Sequence, residues 1–163
     1  MEEKGTLTQI DLTREVCIAD EVEVILGDYE FVLKDGKTYF VKKKPQYPKT
    51  YEECCNVLGV NPSFDIRMLE DEESALYFKF IDLVRCRNAY WKIAGEQMRL
   101  GEPWKPNWAK ADERKYCIVN TEGNIARWVQ KTTNKILAFP TAEMRDAFHE
   151  NFKELINATK ELL

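Results

Sequence analysis

The stretch from Ser74 to Met98 constrains this chain more than any other. It lacks proline, holds glycine only at Gly95, and reads as one helix of about six turns. Leu76, Phe80, Leu83, Val84, Trp91, Ala94 and Met98 recur at helical spacing and form one stripe. Phe78, Cys86, Ala89 and Ile93 cover much of the opposite side. A helix apolar around most of its circumference is packed on more than one side, which places this one at the centre of a core. Arg87 is the discordant residue in the stripe.

A chain of 163 residues has the size of one domain and can bury about two-thirds of its unfolded surface. The expectation is one α+β domain over 1–163. Short antiparallel strands and hairpins pack around the long central helix and an amphipathic C-terminal helix. Its β-rich part spans 14–44 and its helical and antiparallel-sheet part spans 50–163. A net charge of −4 supplies no general attraction to nucleic acid or anionic lipid. That charge is uneven, because residues 1–30 carry nine acids against Lys4 and Arg14, while 34–49 carry six lysines against Asp35. The amino terminus shows no basic start followed by an apolar stretch, and no run approaches bilayer length. Five cysteines cannot all pair within the chain, and their spacing repeats no metal-site pattern, so buried reduced thiols in a cytoplasmic setting are expected.

Taken in order, Val16–Ala19 reads as a short strand and Glu21–Leu26 alternates in part. Tyr29–Leu33 and Thr38–Val41 flank Asp35-Gly36, a hairpin signal, and Lys42 to Lys44 guard its edge. Thr50 is a candidate N-cap and Gly59 a candidate stop for a helix over Tyr51–Leu58, packed through Tyr51, Cys54, Val57 and Leu58. The connector Gly101–Asp112 carries Pro103, Trp104, Pro106 and Trp108, whose indoles are expected to lie over the core. Tyr116–Val119, Ile125–Gln130 and Ile136–Phe139 read as strands of a three-stranded meander, with the first turn at Glu122-Gly123-Asn124. A final helix over 141–162 turns Met144, Phe148, Phe152, Leu155, Thr159 and Leu162 inward.

The chemistry is sparse. His149 has no Cys or His partner at ligand spacing, and neither a Gly-rich phosphate loop nor a Gly-x-Ser-x-Gly elbow is present. Cys54-Cys55 beside Glu52 and Glu53 is a poor thiolate site, since neighbouring acids oppose ionisation. No catalytic residue, metal ligand or cofactor is assigned. Arg87 must reach an edge, a carboxylate or backbone acceptor, or an anionic ligand. With Trp104, Trp108 and Trp128 it forms the candidate binding set, because aromatic–basic groups serve protein, nucleic-acid and glycan partners alike. Lys42, Lys43 and Lys44, in the lysine-rich 37–49 region, form an alternative anion patch.

RNAYWKIAGEQMRLGEPWKPNW at 87–108, KYCI at 115–118 and LAFPTAEMRDAFHENFKELINATKELL at 137–163 resemble small uncharacterised proteins of Bacteroidales genomes and their phages or prophages; TYEECCNVLGV at 50–60 is a further shared-looking segment. The resemblance implies a bacterial or phage origin and adds the phage particle as a second location, but it carries no activity. The expected function is therefore a non-catalytic intracellular interaction or assembly protein, working through a protein partner or self-association and no membrane. The alternative is a nucleic-acid or phosphate-ligand module using 37–49, against which the acidic balance counts. An uncharacterised enzyme ranks third.

Overall fold

The computed structural model describes residues 29–34, 37–42, 45–62 and 72–163, with backbone alone for the first two segments and for Glu72 and Glu73. The chain divides between Gln46 and Tyr47. Within the first unit, β1 (Tyr29–Lys34) and β2 (Lys37–Lys42) pair antiparallel from Tyr29 opposite Lys42 to Lys34 opposite Lys37. Val16–Ala19, Glu21–Leu26, Asp35-Gly36, Lys43 and Lys44 lie outside the described residues.

The second unit is a mixed α+β fold. Helix α1 (Tyr51–Leu58) begins where the Thr50 hydroxyl accepts from the Glu53 N–H at 3.1 Å. The Glu53 carboxylate reaches back to the Lys49 N–H at 2.6 Å, which fixes the chain just before the N-cap. Gly59 ends the helix at φ 70°, and the Val60 N–H closes on the Cys55 carbonyl. Helix α2 (Glu72–Gln97) is the long helix expected from the apolar periodicity. It stops in the same motif with Arg99 in the left-handed position, φ 54°, and the Leu100 N–H on the Gly95 carbonyl.

The core line of α2 is Leu83, Cys86, Tyr90 and Ala94, with Ala89 beside it. Met98, expected within the stripe, is half exposed because the helix has already ended. Tyr90 is fully buried and is the hub: Tyr47 stacks on it at 5.2 Å, and Phe148 meets it edge-on at 5.0 Å.

Strands β3 (Lys115–Thr121), β4 (Asn124–Gln130) and β5 (Leu137–Phe139) form one antiparallel sheet in the order β4-β3-β5. The expected meander is corrected here, since β5 pairs with β3, through Ile118 opposite Leu137, rather than with β4. Burial explains the order. All three residues of β5 are buried and β3 is the more covered of the long strands, whereas Arg127, Trp128 and Val129 leave β4 exposed at an edge. The β3–β4 turn has positive φ at Glu122 (52°) and Gly123 (83°), as a type I′ hairpin requires.

The final helix is also corrected: α3 (Ala142–Asn151), capped by the Thr141 hydroxyl, breaks at Phe152 before α4 (Lys153–Ala158) and a 3₁₀ turn (Lys160–Leu162). Phe152, at φ −120°, packs on Phe148 at 4.9 Å, while the adjacent Asn151 amide donates to the Tyr90 hydroxyl at 3.0 Å. Met144, Phe148, Phe152, Ile156 and Thr159 are the buried residues of this arm.

Candidate functional site

The candidate residues separate into two places. Arg87 and Trp91 tie α2 to the start of β5. The guanidinium donates to the Ile136 carbonyl at 3.0 Å and to the Asn88 side chain at 2.7 Å, and it lies 4.0 Å from the Trp91 ring centre. The Trp91 indole in turn donates to the Ala138 carbonyl at 2.7 Å. Burial pulls Arg87 down to about 10, which leaves it charged at neutral pH. A backbone acceptor therefore holds the residue that was discordant in the helix stripe.

Trp104 belongs to the same cluster. It is 3% exposed, meets Trp91 edge-on at 5.9 Å, and its N–H donates to the Trp91 carbonyl. The connector thus lays its first indole inside the main core, where it presents no surface to a partner.

Trp108 and Trp128 stand elsewhere, together on the other face of the sheet. Residues opposite one another in an antiparallel pair share a face. Trp128 is opposite Cys117, and Ala126 is opposite Val119. Cys117, Val119 and Ala138 form a small second core on which Trp108 and Ala126 pack. Trp108 is half-buried there, while Trp128 is 53% exposed.

Lys115 lies on this face too, and the sequence reasoning missed it. It is fully buried, and its ammonium donates to the carbonyls of Lys110 (2.6 Å) and Lys131 (3.3 Å), 5.8 Å from the Trp108 ring centre. One lysine so joins the loop before β3 to the loop after β4. The alternation Lys115, Cys117, Val119 was the available signal, because period two puts all three on one side. Burial pushes the Cys117 thiol up to about 11, and among the charges opposing that shift the Lys135 ammonium acts most strongly.

Among the described residues, the remaining polar groups form no reacting constellation. Arg127 pairs with Asp146 at 3.4 Å across half-exposed side chains, a contact worth little in water. His149 on α3 is held below its ordinary value by partial burial, Arg127 and Lys153. Cys54, Cys55, Cys86 and Cys117 are buried free thiols. A hydrogen bond with Cys54 and then burial push the Cys86 thiol up, away from nucleophilic use. A cleft of about 590 Å³ beside α4 is lined by residues of both signs, including Lys79, Glu150, Lys153 and Glu154. Among the described residues no group of three His, Cys, Asp or Glu is placed to hold a metal, and no helix is long and apolar enough to cross a membrane. For the alternative anion patch, only the backbone of Lys42, at the end of β2, is described.

Fold and surface together define an α+β protein with a three-stranded sheet, a long helix and further C-terminal helices. No family model matches the chain, and no curated protein and no solved structure matches it.

Proposed function

We propose that this is a non-catalytic interaction protein whose partner-binding surface is the sheet face carrying Trp108 and Trp128, with the free side of β4. The observation that supports this most is Trp128, an indole 53% exposed on a strand that, among the described residues, pairs on one side only. An edge strand is ordinarily short, charged or covered, because open backbone groups and apolar side chains recruit other chains. Rigid aromatic rings supply much of the energy of interfaces that form there. A phage or prophage setting rests on the sequence resemblance alone.

The tagged full chain, expressed in its native host, tests this by the macromolecules isolated with it. Trp128→Ala is expected to fold normally, because it removes a side chain already half in solvent, and to lose most of the co-isolated material. Tyr77→Ala, on the 50% exposed Tyr77 of α2, is expected to retain it. Equal recovery with Trp128→Ala and with the unaltered chain would contradict the assignment.

A further inference from the structure

The net charge of −4 conceals a local excess of the opposite sign. The Lys115 clamp brings together the loop carrying Lys110 and Arg114 and the loop beginning at Lys131. Lys110, Arg114 and Lys131 are exposed. With Lys115 itself, four cations accompany Asp112 and Glu113 at this corner. Glu113 is already engaged, 3.9 Å from the Lys115 ammonium. The corner adjoins the half-buried Trp108 and the exposed Trp128 on one sheet face.

We infer that this corner binds single-stranded nucleic acid, with Trp128 and Trp108 as stacking platforms and the surrounding lysines and Arg114 against the phosphates. The inference rests on the reading of the Trp108–Trp128 face as the binding surface and names its partner. Every base has a π-face, so exposed indoles on a sheet hold successive unpaired bases without reading their order, while flanking cations follow the backbone. An acidic peptide would satisfy the cations but leave the indole faces without comparable partners. A duplex hides its base faces and would use the cations alone.

The test is fluorescence anisotropy of the full chain with labelled oligo(dT) and oligo(U) of about 20 nucleotides, the matching duplex, and polyglutamate. Both single strands are expected to bind, more tightly than duplex or polyglutamate. Contact with about four phosphates implies a loss of affinity of about 50-fold between about 50 and 200 mM salt. Trp128→Ala should weaken oligo(dT) binding by about tenfold at fixed salt, and Lys110→Glu with Lys131→Glu should weaken it and flatten the salt dependence. Absence of oligo(dT) binding at low salt, equal affinity for polyglutamate, or indifference to all three substitutions would overturn the inference. If oligo(dT) fails while Trp128→Ala still strips co-isolated material from the native-host preparation, the surface stands and only the nucleic-acid assignment falls. Failure of both removes the surface as well.

Discussion

Tyr90→Ala is expected to lower the unfolding free energy by about 3–5 kcal/mol, the range for removing a large buried ring. Domains of this kind have about 5–15 kcal/mol in total, so the variant should stand near the edge of folding at room temperature. The physical reason is that Tyr90 joins separate parts of the unit. Its ring is fully buried among Tyr47, Phe139, Phe148 and Phe152. Its hydroxyl donates to the Pro48 carbonyl at 2.9 Å and accepts from the Asn151 amide at 3.0 Å. Tyr90→Phe separates the two contributions. It keeps the ring but strips a partner from the buried Pro48 carbonyl and the half-buried Asn151 amide, and should cost about 1–2 kcal/mol, toward the lower end because Asn151 retains its 3.3 Å contact with Pro48. Urea denaturation with an unchanged slope measures both. A loss below about 1 kcal/mol for Tyr90→Ala would show that the ring is not the hub described.

Gly95→Ala is expected to destabilise by about 2–3 kcal/mol, the upper part of the overpacking range. Intrinsic helix preference alone argues the reverse, since alanine is favoured over glycine by about 1 kcal/mol inside a helix. The sign is decided by space. A Cβ at Gly95 would lie 2.0 Å from the Glu102 carbonyl oxygen and 2.9 Å from the Pro103 Cα, and both obstacles are backbone. The 101–104 connector would have to lift away, which strains the hydrogen bond from the Trp104 N–H to the Trp91 carbonyl and the edge-on contact of the two indoles. Tryptophan emission should shift to the red along with the loss of stability. A gain of about 1 kcal/mol would mean that the connector does not press on α2.

Local signals were legible where one residue type answers one backbone need. Thr50 and Gly59 bracket α1 because a hydroxyl suits a helix start and glycine a left-handed stop. The span of α2 followed from apolar periodicity and the absence of proline. The order β4-β3-β5 was not legible, because a sequence signals the neighbour across a tight turn but not which side a later strand takes. The break at Phe152 was hidden by a helical stripe that runs through it without interruption. In the candidate set, composition treated the tryptophans alike, while the structure buries Trp104 and exposes Trp128. The basic corner escaped notice because its cations come from three separate positions along the chain, and only the buried Lys115 brings two of their loops together.

The four indole N–H resonances of the full chain report directly on which face a partner touches. Titrated with oligo(dT) of about 20 nucleotides in heteronuclear NMR, Trp128 and Trp108 should shift together with the amides of β4 and of the loops at Lys110 and Lys131. Trp91, hydrogen-bonded to Ala138, and Trp104, buried in the core, should stay in place. Shifts confined to other surfaces, or none at saturating oligonucleotide, would contradict the account.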